Sequence, residues 1–304
     1  MTDEAVRRYD GAVLLLPQRL RRAAREAGYA ERAAAEEIRL RVGQTPAAAL
    51  PAGERPLGRE RVTGQDLALL LEIATEASCY SSAEQLREGF LTTRGGYRIG
   101  LCGSVSVKDG APVSFRALTS AVIRISREVR GAADGVMAAY ADGFASTLII
   151  SPPGGGKTTL LRDMVRQLSD GDGARRPLRV ALADERSEVA GVWNGEAQMD
   201  VGRHTDVLDR CPKAEAVLML LRAMGPEVIA LDEITAPADV EAVRAAGNCG
   251  VRLLATAHAA DLDELMRRPL YRGIVGGGLF ENVVVIRRQG GERRYHMMKG
   301  VGAW

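Results

Sequence analysis

The sequence predicts an α/β protein in which a domain built on a parallel sheet follows a smaller α+β domain. Five apolar runs typical of buried strands begin at residues 147, 179, 227, 251 and 282, and helical segments separate them. Strands and helices in this alternation predict a parallel sheet that binds its ligand at the carboxyl ends of the strands. The second observation is a glycine-rich segment, residues 151–159, between the first of these runs and a helix. We therefore expect the ligand site where that segment leaves the sheet.

The length of 304 residues and the 46% share of hydrophobic residues leave room for two domains, each with its own core. A stretch rich in glycine and alanine near residue 135 predicts the boundary, which divides the chain into residues 1–135 and residues 136–304. The formal net charge is only +2, so bulk charge indicates neither a nucleic acid nor an anionic membrane as a partner. The amino-terminal domain contains no histidine and is predicted to be a docking or positioning domain.

The four cysteines, at positions 79, 102, 211 and 249, form no C-x-x-C pair and have too few histidines nearby for a zinc site. They are expected to be reduced residues in the core of a cytoplasmic protein. The N-terminus has no signal-peptide pattern, and the longest apolar runs are far shorter than the ~20 residues that cross a bilayer. We therefore expect a cytoplasmic protein that reaches a membrane only through a partner.

In the amino-terminal domain, Pro17 is expected to begin a second helix, and Thr63 is expected to cap a helix that runs to Ala77. Further elements are predicted as a strand over 38–43, a loop over 44–61, a helix over 82–89, a hairpin around Gly95 and Gly96, and a strand over 122–129. Arg94 and Arg98 could face a partner or a nucleic acid from that hairpin. Without an aromatic platform beside them, the solvated face of a strand is the favoured interpretation.

Residues 151–159 contain the parts of a phosphate-binding loop. Consecutive glycines allow the positive φ angles that turn backbone N–H groups toward a phosphate, a lysine follows for the outer phosphates, and a threonine follows for Mg²⁺. The residues predicted to bind the nucleotide are Pro153, Gly154, Gly155, Gly156, Lys157, Thr158 and Thr159. Ser151 stands where the pattern G-x-x-x-x-G-K-[ST] has its first glycine. A glycine-rich turn without function is the alternative, and the strand before it and the helix after it favour the functional interpretation.

Carboxylates follow two of the apolar runs. One run ends in Asp232 and Glu233, and ATP hydrolysis needs one carboxylate to hold Mg²⁺ with the loop threonine and another to orient or deprotonate water. We assign Asp232, together with Thr158, to Mg²⁺ and Glu233 to the water. Another run ends in Asp184 and Glu185, for which an ordinary helix cap is an equally good interpretation from the residues alone.

The strand that begins at residue 251 ends in Thr256 and His258. A polar residue at the tip of a strand beside the phosphate loop can contact the γ-phosphate, and a structural histidine bonded to a loop carbonyl is an equal alternative. Between Arg186 and Arg210 lies a long segment with little periodicity, of the kind that is usually functional. An arginine within it, such as Arg203, could reach the γ-phosphate of a neighbouring subunit.

Several segments together resemble the stage III sporulation protein AA family, which is similar to the ATPases of type II and type IV secretion systems. These segments are residues 35–41, the Gly95-Gly96 hairpin, and residues 184–188, 205–213 and 256–258. The resemblance runs over most of the chain. The segments Asp-Glu-Arg-Ser-Glu and Asp-Val-Leu-Asp-Arg-Cys-Pro-Lys are more specific than the phosphate loop.

The resemblance implies a RecA-like P-loop ATPase domain that uses ATP and Mg²⁺ in a homo-oligomer, a hexameric ring. It implies a peripheral position on the cytoplasmic face of the mother-cell membrane, where the ATPase energises a channel into the forespore through an integral membrane partner. Glu185 would belong to the acidic box and His258 to the histidine box of secretion ATPases, both with catalytic roles. The family pattern has arginine before Thr205, whereas this chain has His204 there, so a phosphate-sensing role would either pass to Arg203 or be weakened.

Two other functions stay open on the sequence. One is a P-loop protein that binds single-stranded nucleic acid, against which the near-neutral charge and the absence of a stripe of basic and aromatic residues argue. The other is a nucleotide-dependent scaffold with negligible hydrolysis.

Overall fold

The computed structural model describes residues 2–76, 83–173, 175–289 and 292–301. Contacts within the chain divide it into two compact units, which comprise residues 1–127 with 191–198 and residues 128–190 with 199–304. The domain limits expected from the sequence, 1–135 and 136–304, stay a prediction.

The amino-terminal unit combines helices with an antiparallel sheet. Its helices are α1 (Thr2–Leu14), α2 (Gln18–Arg25), α3 (Tyr29–Ala34), α4 (Gly64–Ala74) and α5 (Ala83–Arg87). Its strands are β1 (Glu37–Arg41), β2 (Ala47–Leu50), β3 (Gly53–Pro56), β4 (Phe90–Thr93), β5 (Tyr97–Lys108) and β6 (Ala111–Arg124). These strands form one sheet in the order β3-β2-β1-β6-β5-β4, in which each pairing is antiparallel. The amino-terminal sequence therefore forms the α+β architecture that was expected.

Large apolar side chains join these helices to the sheet. One core contains fully buried side chains from both layers. They are Tyr9 in α1, Leu16 just after it, Leu67 in α4, and Ile38 and Ile123 in the sheet. Each buried side chain of this size contributes about 1.5–3 kcal/mol relative to an exposed one. The unit thus has a core of its own.

Signals that act between neighbouring residues are confirmed in this unit. Pro17 directly precedes α2, and the hydroxyl of Thr63 accepts a hydrogen bond from the N–H of Asp66 at the start of α4 (3.2 Å). β4 and β5 form the predicted hairpin. The expected helix end at Ala77 and the expected helix start at Ser82 lie outside the described residues.

The hairpin arginines lie over aromatic rings of the same unit. The guanidinium carbon of Arg98 is 4.1 Å from the ring centroid of Phe90, and that of Arg94 is 6.0 Å from the ring of Trp193. Both distances are within the range of cation–π attraction. The expectation that these arginines lack an aromatic platform is therefore wrong. Trp193 is far from the hairpin in sequence, so a local pattern could not indicate it.

The carboxyl-terminal unit alternates strands with helices. Its helices are α6 (Asp134–Met137), a 3₁₀ turn (Ala138–Tyr140), α7 (Lys157–Asp170), α8 (Lys213–Ala223), α9 (Pro237–Asn248), α10 (Leu262–Arg267) and α11 (Pro269–Val275). Its strands are β7 (Thr147–Ser151), β8 (Val180–Asp184), β9 (Thr205–Asp209), β10 (Val228–Leu231), β11 (Arg252–His258), β12 (Asn282–Gln289) and β13 (Glu292–Lys299).

These strands form one sheet in the order β13-β12-β7-β11-β10-β8-β9. All neighbours are parallel except β12 and β13, which form an antiparallel pair at one edge. Every residue of β7, β8 and β10 is buried, as in sheets covered on both faces. The carboxyl ends of β7, β11, β10 and β8 are therefore adjacent, and the residues that follow these strands meet at one end of the sheet.

Two segments predicted as loops contain strands. Residues 44–61 include β2 and β3, and residues 186–210 include β9. β2 begins with three alanines, which have little intrinsic strand preference, and its pairing with β1 outweighs that preference. β9 extends the second sheet by pairing along its whole length with β8.

The cysteines differ from the expectation that they lie in the core. Cys102 and Cys249 are exposed and Cys211 is half-buried, all as free thiols, whereas Cys79 lies outside the described residues. In the part of the chain that the structure describes, no helix is both long enough and apolar enough to cross a membrane. Within the same residues, no group of three or more His, Cys, Asp or Glu side chains is arranged to hold a metal ion by itself.

Candidate functional site

The predicted phosphate loop connects β7 to α7 and has the backbone of an anion-binding turn. Gly154 and Gly156 have φ angles of 69° and 105°, which glycine adopts without strain. Gly155 is required for another reason, since a Cβ atom there would lie 2.2 Å from the hydroxyl oxygen of Ser151. Ser151 is fully buried and donates to the carbonyl of Pro152 (2.9 Å). Serine in place of the first glycine therefore fits inside this turn.

Backbone donors converge where the loop enters α7. Among the described residues, no protein acceptor takes the N–H groups of Gly154, Gly156, Lys157 or Thr158. The N-terminus of a helix also carries a partial positive charge, equivalent to roughly half an elementary charge, and α7 is 14 residues long. Such a set of donors is suited to phosphate oxygens.

Lys157 is buried beneath the loop. Its ammonium group donates to the Ser151 carbonyl (3.4 Å) and lies 2.6 Å from Nδ1 of His258. Because an ammonium group has only donors, Nδ1 of His258 is the acceptor, which assigns the ring proton to Nε2. Burial lowers the pKa of Lys157, and the nearby carboxylates of Glu233 and Asp232 oppose that shift.

The two residues assigned to Mg²⁺, Thr158 and Asp232, lie beside each other. The Thr158 hydroxyl donates to Oδ2 of Asp232 (3.3 Å), and the hydroxyl of Thr256 on β11 donates to Oδ1 (2.8 Å). Hydroxyl and carboxylate oxygens are hard ligands, and Mg²⁺ is commonly held by one or two protein carboxylates together with phosphates and waters. The donor set therefore fits this ion, and Thr256 orients the carboxylate.

Glu233, assigned to the attacking water, has a strained backbone. Its φ angle is 26°, a conformation that costs a residue other than glycine about 1–3 kcal/mol and is concentrated at functional sites. Its N–H donates to the Thr256 hydroxyl (3.0 Å), and its carboxylate accepts from Nε2 of His258 (2.9 Å). The carboxylate retains partial exposure, at 22% of its side-chain surface. His258 thus connects Lys157 to the predicted base.

Glu185, assigned to the acidic box, is held by a lysine. The ammonium group of Lys213, at the start of α8, lies 2.5 Å from Oε2 of Glu185, and the lysine side chain is only 7% exposed. Both residues line one small pocket, together with Arg186, Glu188, Asp232 and Glu233. The site assignment from sequence did not include Lys213. A signal was available, because the chain has only four lysines and one of them ends this specific segment.

Asp184 shapes the turn that follows β8. Its carboxylate accepts hydrogen bonds from the N–H groups of Glu188 (2.9 Å), Val189 (3.0 Å) and Ala190 (2.8 Å). Burial raises the pKa of Asp184 to about 6, while the bonds from Ala190 and Val189 act in the opposite direction. The role of this carboxylate is to hold the backbone beside Glu185.

Arg203 lies away from the loop of its own chain. Its N–H donates to the carboxylate of Asp170 (2.9 Å), the last residue of α7. With a rise of 1.5 Å per residue, that end of the helix is about 20 Å from Lys157. The sensing role of Arg203 therefore stays a prediction for a contact with a neighbouring copy of the chain.

Comparison with known proteins identifies relatives of the whole chain. The model of the family described as "Sporulation stage III, protein AA" matches residues 7–300. The sequence is 35% identical over 278 residues to the protein "Stage III sporulation protein AA" of Bacillus subtilis (strain 168), which covers 91% of this chain and 90% of that protein.

Two solved structures, of an ATPase and of a pilus retraction motor, resemble the fold. The ATPase DotB of Legionella pneumophila matches with a TM-score of 0.58 and 16% identity, over 85% of this chain and 74% of that one. The pilus retraction motor PilT, solved with bound ADP, matches with a TM-score of 0.58 and 19% identity, over 87% and 79% of the two chains. At these identities the likeness concerns the fold alone. It confirms the predicted fold class, a RecA-like domain with a parallel sheet preceded by a smaller α+β domain.

Proposed function

This chain belongs to the stage III sporulation protein AA family, and we propose that it is a Mg²⁺-dependent ATPase of the secretion type that works as an oligomer. The observation that supports this best is the connection of Lys157, through His258, to Glu233. The pair of Thr158 and Asp232 lies directly beside that connection. Loop lysine, metal ligands and a carboxylate for water are thus gathered at one end of the parallel sheet.

The loop holds the phosphates of ATP in this proposal. The free N–H groups of Gly154, Gly156, Lys157 and Thr158 bind phosphate oxygens. The Lys157 ammonium neutralises the outer phosphates. The fold shared with a motor solved with bound ADP supports the choice of nucleotide.

Thr158 and Asp232 would hold Mg²⁺. The ion, when bound, supplies neutralisation of the charge that develops on the transferred phosphoryl group. Thr256 assists by donating to Asp232 (2.8 Å), a bond that orients the carboxylate. The protein's contribution at this point is the fixed orientation of two oxygen ligands.

Glu233 orients and deprotonates the attacking water. Its partner His258 donates from Nε2 and accepts from Lys157 at Nδ1, so the three side chains are coupled. A phosphate that attracts the Lys157 ammonium competes with His258 for it. The histidine is thereby released to adjust the carboxylate of Glu233 when the outer phosphate is present.

The remaining roles depend on assembly. Glu185, fixed by Lys213, completes the acidic side of the pocket, and Arg203 reaches the site of a neighbouring copy in a hexameric ring. The ring acts at the cytoplasmic face of the mother-cell membrane, through an integral membrane partner of a channel into the forespore. Membership of the sporulation family and the fold shared with a retraction motor support this assignment.

The test of this proposal is ATP hydrolysis by the wild type and two variants, Lys157→Ala and Glu233→Gln. Loss of a general base lowers the rate by about 10²- to 10⁴-fold, so Glu233→Gln is expected to bind ATP and hardly hydrolyse it. Lys157→Ala is expected to lose hydrolysis and to bind ATP more weakly. Matched controls are Lys108→Ala at the end of β5 and Glu241→Gln on α9, both at exposed positions. Both variants are expected to hydrolyse ATP at the wild-type rate.

Two outcomes would contradict the proposal. If both Lys157→Ala and Glu233→Gln hydrolyse ATP as fast as their controls, the site is elsewhere. If the wild type binds ATP but is no faster than Glu233→Gln, the chain is a nucleotide-dependent scaffold.

A further inference from the structure

The antiparallel edge strand β13 brings an arginine against the phosphate loop. Nε of Arg293 donates to the carbonyl oxygen of Gly155 (3.1 Å), although the two residues are far apart in the sequence. A Cβ atom placed on Gly156 would lie 2.6 Å from Nε and 3.0 Å from Cζ of the same guanidinium group. The guanidinium group therefore lies against two consecutive glycines of the loop.

The bond to Gly155 uses one of the five N–H donors of Arg293. Among the described residues, no carboxylate pairs with this arginine and no acceptor takes the donors on its two terminal nitrogens. Other arginines of this unit have such partners, for example Arg176 with Glu227 and Arg268 with Glu264. A cation without a carboxylate thus lies beside a loop suited to phosphates.

We infer that Arg293 binds a phosphate of the nucleotide within the same chain, an inference that rests on the proposed function. Guanidinium groups bind phosphate oxygens through paired N–H donors, and such charge-assisted bonds are stronger than neutral ones. The bond to the Gly155 carbonyl leaves the terminal nitrogens free for this contact and fixes the side chain against the loop. Sequence reasoning assigned no role to β13, because its approach to the loop depends on the order of strands in the sheet.

The test is calorimetric titration of ADP into the wild type and three variants in the presence of Mg²⁺. Arg293→Met roughly keeps the length of the side chain and removes the charge. It is expected to raise the Kd about 5- to 20-fold, which is the affinity that one charged hydrogen bond contributes at a solvent-exposed site. Arg293→Lys keeps the charge and is expected to restore part of that affinity. Arg294→Met removes the same charge from the next residue, which points to the opposite face of the strand, and is expected to change the Kd less than twofold.

The salt dependence of the Kd and the steady-state kinetics distinguish a phosphate contact of Arg293 from a purely structural role in holding the loop. A partly exposed charge contact is screened by salt, so the difference between wild type and Arg293→Met is expected to shrink between 50 mM and 500 mM NaCl. Because the contact is made in the ground state and the transition state alike, Arg293→Met is expected to raise KM for ATP with kcat within about twofold of the wild type.

Three results would overturn the inference. Equal Kd values for Arg293→Met and Arg294→Met would show that Arg293 does not bind the nucleotide. Equal weakening by Arg293→Met and Arg293→Lys, independent of salt, would show that it only braces the loop. Failure of the wild type to bind ADP would overturn the proposed function itself, and with it this inference.

Discussion

Ser151 and Gly155 compete for the same space in the phosphate loop. The hydroxyl oxygen of Ser151 would be 2.2 Å, and its Cβ atom 2.7 Å, from a Cβ atom on Gly155. Gly155→Ala is therefore expected to destabilise the protein by about 1–3 kcal/mol, as other overpacked sites do. Removing the serine side chain relieves both of these contacts and leaves a 3.0 Å approach to the Pro152 carbonyl. In a Ser151→Gly background the same substitution is therefore expected to cost at least about 1 kcal/mol less.

Urea unfolding of the two single variants and the double variant measures this coupling. Serine at the first position of the loop thus adds to the exclusion of a side chain at the fifth position. Additivity of the two substitutions within about 0.5 kcal/mol would show that the serine does not impose the glycine.

At the residue scale, the sequence predicted what is local. The phosphate loop follows a strand directly, and its glycines, lysine and threonine are consecutive in the sequence. Residues 153–159 could therefore be assigned a role without a structure. Lys213 and Arg293 could not be assigned in this way. Their partners, Glu185 and Gly155, are distant in the sequence and are brought close only by the packing of α8 and the pairing of β13.

At the scale of elements, the pairing of β8 with β9 brings two carboxylates together. Asp184 and Asp209 are register partners at the ends of these strands. Burial raises the pKa of Asp209 to about 6, and the Asp184 carboxylate adds to the shift. Because the folded-state pKa is above the unfolded value, the protonated group stabilises the fold at low pH. This stabilisation is lost as the pH rises through about 6.

Asp209→Asn removes this titration. Between pH 5 and pH 8, the free energy of unfolding of the variant is expected to decline less than that of the wild type, by about 1–1.5 kcal/mol. Urea unfolding at both pH values measures the difference, and Asp206→Asn, at an exposed position of the same strand, is expected to follow the wild type. Parallel pH profiles for the wild type and Asp209→Asn would contradict the assignment.

Strand β9 also illustrates why part of the fold could not be predicted. Its segment, Thr-Asp-Val-Leu-Asp, has only five residues, most of them polar. Because it follows a long aperiodic segment, the residues alone favour a loop. β2, with its alanines, was missed for a related reason. In both strands the stabilising partner is another strand, β8 or β1, and not the local sequence.

At the scale of the whole molecule, one chain contains the residues proposed to bind phosphate, Mg²⁺ and water, while Arg203 lies about 20 Å from Lys157 along α7. Any contact of Arg203 with a phosphate is therefore proposed for a neighbouring copy of the chain. A division of the sequence into consecutive ranges also misses that residues 191–198 belong, by their contacts, to the amino-terminal unit. Trp193 and Gln198 in that segment contact Arg94 and Gly95 of the hairpin.

The measurement that tests the central claim most directly is the rate of Mg²⁺-dependent ATP hydrolysis per chain across a wide range of protein concentrations, with Glu233→Gln as the control. An oligomeric ATPase predicts that the rate per chain rises with concentration to a plateau, while the variant stays inactive throughout. A wild-type rate that equals the variant's at every concentration, although ATP binds, would contradict the claim.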